Sequence, residues 1–350
     1  MYNKTIYVLH KRGSKNHYLG LQYLLESNNI HLKYREFSVF SKLFKSIIKI
    51  DGNLFKKQLF NISFLIELAF TKNKKIVLGI APFDYKIFNL LILLKNHTIY
   101  YHTSWACWDK SFHPKTKKNN ELIYKTWKIF LENHVKFIFT VSEASKKSLI
   151  KNYKLSESNI HVVNHAVDRN FEKNKVKKRV PKSFIYLGRL LEEKGLKELL
   201  DIFSNHRNLT FTIVGEGKKE DLVYNYSKKF KNIHFYKFIT DKNILSDIML
   251  EHEFVILNSK KTRKWEELFG MILVEGMAHG LIPVASKHAG PEEIISHEVG
   301  YLYDEGKFEG CLAEIISEYP GCKERSIRAK KEAIKYFPNQ IAHKWKPILE

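Results

Sequence analysis

The sequence predicts an α/β protein made of two successive doubly wound units, each a parallel sheet with helices on both faces. Strand-like and helix-like runs alternate through both halves of the chain. A charged, proline-bearing stretch, Glu172–Lys182, separates them. With 44% hydrophobic residues, a chain of 350 residues is long enough for two full cores.

Met1–Leu9 reads as a first strand and lacks the longer apolar core of a signal peptide. Ile76–Ile80, Thr98–Tyr101 and Phe137–Val141 are apolar runs of strand length, as expected for strands covered on both faces. Tyr85–Leu94 and Glu143–Asn152 read as helices. The rhythm repeats with strands Phe184–Leu187, Leu209–Val214, Phe254–Leu257 and Ile282–Ala285, and with helices Leu196–Phe203 and Met271–His279. These runs set a first domain over 1–170, a linker over 171–182, a second domain over 183–335 and a closing segment over 336–350. No apolar run approaches the roughly 18–20 residues of a membrane-spanning helix. Cys107, Cys311 and Cys322 are few and far apart, which fits a reducing cytoplasm and excludes a disulfide framework or a cysteine metal site.

Charge is unevenly placed. Residues 1–180 hold 33 Lys/Arg against 12 Asp/Glu, net +21, whereas the remainder supplies only +1 of the overall +22. A general lysine bias would not have spared the second half. The first half therefore implies an anionic partner: a membrane surface, a lipid phosphate or nucleic acid. In Phe40–Lys49, residues Phe40, Leu43, Phe44, Ile47 and Ile48 share one helical face, with Lys42, Lys45 and Lys49 on the other. That pattern serves a helix lying in a membrane interface, and equally a surface helix covering a core.

The most informative stretch is Glu267–Glu275, two carboxylates eight residues apart. Glu275 sits in the apolar run Met271–Ala278, which Gly280 closes before the strand-like Leu281–Ser286. A carboxylate on a buried helix is costly unless something polar meets it, and ligand hydroxyls would do so. Gly270 opens the helix, leaving free N–H groups and the positive dipole end for a phosphate. A phosphate site, a hydroxyl-binding carboxylate and a second carboxylate at the loop edge together indicate a nucleotide-sugar pocket. A helix with one snorkelling Glu is the plainer reading of Glu-x7-Glu alone.

With Phe269-Gly270 after the first Glu and Gly276-Met277-Ala278 after the second, the segment resembles the family 4 glycosyltransferases, a retaining group of GT-B fold. Four further stretches match in order. Phe184–Gly195 sets a strand before Gly188-Arg189, with Lys194 five residues on; the resemblance assigns Arg189 and Lys194 to the diphosphate leaving group, a task two cations suit. Phe211–Gly217 resembles the family's Gly-Asp-Gly turn at Gly215, and Ala289–Glu293 its Gly-Gly-x-x-Glu loop, with Ala289 in place of the first glycine. Ile160–Asp168 resembles its interdomain Asn-Gly-Val-Asp segment, departing at His165-Ala166. The resemblance implies two Rossmann-like domains facing a central cleft, with a C-terminal helix over 336–350 crossing back to the first. It also implies a donor site of Gly188, Arg189, Lys194, Gly215, Glu267, Phe269, Gly270, Met271 and Glu275, with Glu267 on the donor sugar.

On the acceptor side, His102 ends the strand Thr98–Tyr101, where a polar residue faces the ligand crevice of a parallel sheet. The family often carries a His near the donor sugar and acceptor oxygen, so His102 joins Arg189, Lys194 and Glu267 in the catalytic set. Trp105 and Trp108 offer sugar-stacking faces or simply packing. In His10–His17 the family's glycine pair is reduced to Gly13; Lys11, Arg12 and Lys15 would instead meet an anionic acceptor. No Asp-x-Asp follows a strand, so neither a divalent metal nor another cofactor is expected. The expectation is a cytoplasmic glycosyltransferase, peripheral on the inner face of an anionic membrane. It would move a sugar from a nucleotide-diphosphate donor to a saccharide or lipid-linked acceptor in surface polysaccharide or glycolipid assembly. Its rivals are a nucleotide-sugar epimerase on the same scaffold and a basic nucleic-acid-binding protein. Against the latter, no base-reading module is visible, and no nucleic-acid partner is expected.

Overall fold

A computed structural model describes residues 5–11, 13–111, 120–171, 177–263 and 265–350. The chain divides into two compact units, Met1–His165 with Ile341–Glu350, and Ala166–Gln340. The division falls ahead of the expected linker, of which 172–176 lie outside the described residues.

Unit 1 contains β1 (Thr5–His10), β2 (His31–Glu36), β3 (Lys75–Gly79), β4 (Thr98–Thr103), β5 (Val135–Thr140) and β6 (Ile160–Val162). They form one parallel sheet in the order β2-β1-β3-β4-β5-β6, with Val8 opposite Tyr34 on one side and Val77 on the other. Unit 2 contains β7 (Ser183–Leu187), β8 (Thr210–Val214), β9 (Ile233–Tyr236), β10 (Phe254–Leu257), β11 (Ile282–Ser286) and β12 (Tyr301–Tyr303), also parallel, in the order β12-β11-β10-β7-β8-β9. The strand order reverses between β1 and β3 in unit 1 and between β7 and β10 in unit 2. At such points helices leave to opposite faces, and a crevice opens beyond the carboxyl ends of the strands.

The apolar central runs became strands within a residue or two of their expected limits, because a strand covered on both faces must be apolar throughout. The expected helix from Tyr85 starts at Ile87. Asp84 delays it, its Oδ1 accepting from the Lys86 amide at 3.1 Å. Met271–Ala278 is a helix entered through Gly270 at φ +94 and left through Gly280 at φ +74; the Leu281 amide donates to Gly276 O. The closing segment is a helix over Pro338–Lys344 and a 3-10 turn over Lys346–Leu349. From Ile341 onward it belongs to unit 1. Trp345 packs on Phe139 (centroids 4.4 Å apart), and Lys75 Nζ and Tyr100 Oη both donate to Ile348 O.

The segment after β2 reverses ordinary patterning. Helix Phe40–Ile48 buries Ser46 and leaves Phe40 78%, Phe44 68% and Ile48 67% exposed. Helix Gly52–Phe70, started by Asp51 accepting from the Leu54 amide, turns Gln58 and Asn61 inward with Phe64 and Leu68, and leaves Phe60 and Phe70 outside. The polar interior is organised by Glu36, which is 2% exposed. Its carboxylate accepts from Lys42 at 2.6 Å, Lys57 at 3.0 Å and Gln58 at 3.3 Å. Burial pushes this carboxyl up, but those donors bring it below its ordinary value. Two expectations change. The apolar face of Phe40–Lys49 covers no core, and Lys42 is tied inward to Glu36 instead of standing with Lys45 and Lys49.

Candidate functional site

In unit 2 the crevice is lined by the turns after β7, β8 and β10. Glycine is required where they meet. A Cβ on Gly215 would lie 1.9 Å from Gly188 O, and one on Gly195 (φ +61) 2.2 Å from Asn258 O. The strand-end turns therefore touch backbone to backbone. Gly188 itself has φ +148, and the Tyr186 hydroxyl fixes the next residue by donating to Arg189 O at 2.8 Å. Arg189 is exposed and forms no ion pair among the described residues.

Lys194, by contrast, is 9% exposed and paired. Its Nζ lies 2.5 Å from Glu267 Oε2 and 4.5 Å from the centre of the Trp265 ring. Ser259, just beyond β10, donates to the same Glu267 oxygen at 3.1 Å. The residues before the helix are held by the loop after β11. The Gly290 amide donates to Glu267 O, and a Cβ there would meet Phe269 N and Cα at 2.3 Å. Phe269 is buried against Tyr336, and Met271 begins the helix.

Glu275 is buried in that helix, and its carboxylate accepts no hydrogen bond among the described residues. Burial pushes its carboxyl up to about 7; Lys242 opposes this and Asp168 adds to it. A mainly apolar pocket of about 170 Å³ opens at the ends of β7 and β8, where Leu187, Val214, Phe238 and Leu245 line it together with Arg189 and Glu216. The structure thus brings Lys194 and Glu267 into contact, sets Gly188 against Gly215, and mounts Phe269, Gly270, Met271 and Glu275 on one helix start.

Sequence reasoning missed Trp265, Ser259 and Glu266. Glu266, next to the motif carboxylate, is 9% exposed, with Lys261 Nζ at 2.9 Å and the Ala289 amide donating to it at 3.4 Å. Ser259 follows an apolar strand and Trp265 precedes a carboxylate pair; neither spacing signals a partner for Lys194.

In unit 1, a pocket of about 210 Å³ opens at the carboxyl ends of β1, β3 and β4, lined by His10, His17, Tyr18, Gly79, His102 and Trp105 among others. His102 lies 4.9 Å from Tyr18, 5.8 Å from His165 and 5.4 Å from Trp345, ring centre to ring centre. Burial, with His165, His17 and His10 nearby, holds it neutral, well below the ordinary histidine range. Burial also lowers His10, to about 4. His102 Nε2 and Tyr18 Oη are buried and have no hydrogen-bond partner among the described residues. The histidine cluster was not foreseen, since its members are scattered along the chain.

Trp105 and Trp108 are 6% and 0% exposed. Their Nε1 atoms donate to Cys107 O and Trp105 O, and Trp108 stands edge-on to Phe83. Trp105 therefore forms part of the pocket wall, and Trp108 is core. Gly13 adopts φ +86, where a side chain would be strained, and Lys15 is exposed above the Tyr34 ring. Lys11 pairs with Asp84 at 3.4 Å, while Arg12 lies outside the described residues. Among the described residues no group of three or more His, Cys, Asp or Glu side chains is placed to hold a metal ion, and no helix is long and apolar enough to cross a membrane.

Two parallel six-stranded sheets, each with a glycine-lined crevice at its switch point, define a GT-B protein. Residues 167–335 match the model of glycosyl transferases group 1, and 76–171 that of glycosyltransferase family 4. The chain belongs to the family 4 glycosyltransferases. Among curated relatives, it is 25% identical to glycogen synthase of Mycobacterium tuberculosis over 44% of this chain and 38% of that protein. It is 24% identical to the uncharacterized glycosyltransferase YqgM of Bacillus subtilis, over 55% and 54%. The chain thus spans about half or less of the length of these relatives. HepE of Anabaena, solved with UDP, superposes with TM-score 0.69 at 14% identity over 99% of both chains. A glycosyltransferase from Rickettsia africae gives 0.69 at 16% identity over 100% of both.

Proposed function

We propose that the protein is a retaining glycosyltransferase whose unit 2 binds a nucleotide-diphosphate sugar and whose unit 1 binds a saccharide or lipid-linked acceptor. The observation that carries this reading is the Lys194–Glu267 pair at the β7/β10 switch point, with the unpartnered Glu275 on the helix that follows. Glu275 accepts the ribose hydroxyls, which supply the hydrogen bonds its buried carboxylate lacks. The helix start at Gly270–Met271 takes the diphosphate at its free amides. The apolar pocket beside Gly188 receives the base. Solved structures of Anabaena HepE hold UDP and UDP-glucose, which supports uridine donors as the first to be tried.

Arg189 and Lys194 stabilise charge growing on the departing diphosphate, a contribution that strengthens in the transition state. As the diphosphate draws on Lys194, Glu267 is freed to accept from a donor-sugar hydroxyl. We assign no covalent nucleophile among the described residues; the acceptor attacks on the face the diphosphate leaves, and the diphosphate oxygen takes the acceptor proton. In unit 1, His102 Nε2 and Tyr18 Oη meet acceptor hydroxyls; Gly13 and Lys15 border that region. An acceptor on a lipid carrier at the inner face of a membrane suits the basic first half. Surface polysaccharide or glycolipid assembly is the matching role. Cations and a helix start perform the metal's usual task.

A panel of nucleotide sugars screened for thermal stabilisation tests the donor assignment. One donor should raise the melting temperature, and turnover with it should persist in EDTA and conserve anomeric configuration. Stabilisation by no nucleotide sugar, or an inverted product, would overturn the reading; restoration of lost activity by magnesium or manganese would overturn its metal-free part.

A further inference from the structure

Sugar transfer leaves unexplained the apolar exterior of unit 1. Around the Glu36 cluster, the helices over Phe40–Ile48 and Gly52–Phe70 turn polar groups inward and large apolar groups outward, an arrangement that no core requires. Ile50 is 92% exposed and Phe70 84%. Exposed apolar surface on this scale marks an interaction site. Helices Gly52–Phe70 and Ile87–Leu94 pack side by side and enclose a groove of about 430 Å³. Val39 and Leu90 line it as buried residues, while Phe40, Ile66 and Phe70 line it as exposed ones.

The groove has polarity along its length. At one end, level with the carboxyl ends of β2 and β3, lie Phe37, Val39 and Lys86. Lys86 donates to Ser38 Oγ at 2.7 Å, stands 5.7 Å from the Phe37 ring centre and forms no ion pair among the described residues. At the other end are Ala69, Phe70 and Leu93, with no charged residue in the lining. Lys45 on the helix Phe40–Ile48, Lys49 just past its end and Lys56 on the helix Gly52–Phe70 are exposed and unpaired among the described residues. A cationic head, a long apolar trough and a lysine-bordered apolar rim complement an anionic lipid: phosphate at the head, hydrocarbon in the trough, leaflet at the rim. A protein partner would need acidic groups to meet the lysines and a ridge to fill the trough.

We propose that this groove binds one hydrocarbon chain of an anionic lipid taken from a bilayer leaflet, its phosphate at Lys86, while Phe40, Phe44, Ile48 and Ile50 enter the leaflet. The site names the acceptor class for the transferase reading on which it rests: a phosphate-linked lipid presented at the carboxyl end of the unit 1 sheet, where the His102 pocket also opens.

The test uses the full-length protein with vesicles of phosphatidylcholine containing or lacking phosphatidylglycerol. A Phe70→Trp reporter should be quenched by brominated acyl chains only when phosphatidylglycerol is present. Lys45→Glu, Lys49→Glu and Lys56→Glu combined should weaken vesicle binding about a hundredfold or more, since each lysine near the surface contributes on the order of 1 kcal/mol. Short-chain phosphatidylglycerol below its micelle concentration should bind the parent one to one. Ala69→Trp, which fills the trough, should abolish that binding while vesicle attachment through the rim persists. Ile66→Arg at the exposed rim is the second blocking variant should Ala69→Trp fold poorly.

Equal partition onto neutral and anionic vesicles, no attachment to either, or short-chain lipid bound undiminished by both blocking variants would overturn the proposal. So would concentration-dependent self-association that Phe44→Ser abolishes, without vesicle binding, since the groove would then face a second copy. Stabilisation by nucleotide sugars is measured on the same samples. Its loss sinks the transferase reading; its persistence without lipid binding sinks only the groove.

Discussion

Replacing Glu275 with Gln separates an unliganded cost from a ligand-bound gain. An ordinary carboxyl titrates near 4.5 and this one at about 7, because burial disfavours its charged form. Below about pH 4.5 the carboxyl is neutral in folded and unfolded chains and contributes nothing. Between there and about 7 the folded protein holds a proton that the unfolded chain releases, so stability falls as pH rises. Above about 7 the full penalty is present, roughly 3 kcal/mol. Glutamine carries no such penalty. The stability of Glu275→Gln relative to the parent should therefore improve by roughly 3 kcal/mol between about pH 5 and 8, read from urea unfolding at each pH. The same variant should bind the nucleotide diphosphate more weakly, because the ribose hydroxyls lose an ionised acceptor. Donor binding to the parent just below neutral pH should release a proton, detectable by calorimetry in buffers of different ionisation enthalpy. A stability difference that does not change with pH would refute the burial argument. Unchanged nucleotide affinity in the Gln variant would refute the ribose assignment.

Lys194→Ala should lower turnover far more than donor affinity, by about 2.7–4 kcal/mol of barrier. It should also destabilise the fold by about 1–3 kcal/mol, since the half-buried Glu267 keeps only Ser259 as a partner. Pairing Lys194→Met with Glu267→Gln should recover stability by denaturation but not turnover; recovery of both would make the pair purely structural. Glu267→Gln alone should reduce kcat more than it raises KM for the donor. Gly215→Ala, whose Cβ would lie 1.9 Å from Gly188 O, should cost more than about 4 kcal/mol or prevent soluble expression. A variant melting within a few degrees of the parent would show that the two turns move apart freely.

Local pattern in the sequence was enough for the central strands of both sheets and for the helix between Gly270 and Gly280, and it set out the glycine, cation and carboxylate motifs that the fold gathers in unit 2. Apolar runs buried on both faces and glycines at positive φ leave signatures that need no partner to be read. The edge strands β2, β6, β9 and β12 and the helix Gly52–Phe70 were not legible. The edge strands are short or half-polar, and the helix hides Gln58 and Asn61, whose reason for burial, Glu36, is 22 and 25 residues away. The pairing of Lys194 with Glu267 over 73 residues, and the meeting of His10, His17, His102 and His165, depend on which strand ends the sheet order makes neighbours. The amphipathic run Phe40–Lys49 shows the division clearly. Its periodicity established a helix with one apolar face, but the direction of that face depends on what lies beneath: the buried Glu36 carboxylate drew Lys42 and Gln58 inward, and Asn61 follows by bonding the Glu36 amide and Gln58. Sequence settles how residues alternate along an element; only the fold decides which side of the element is inside.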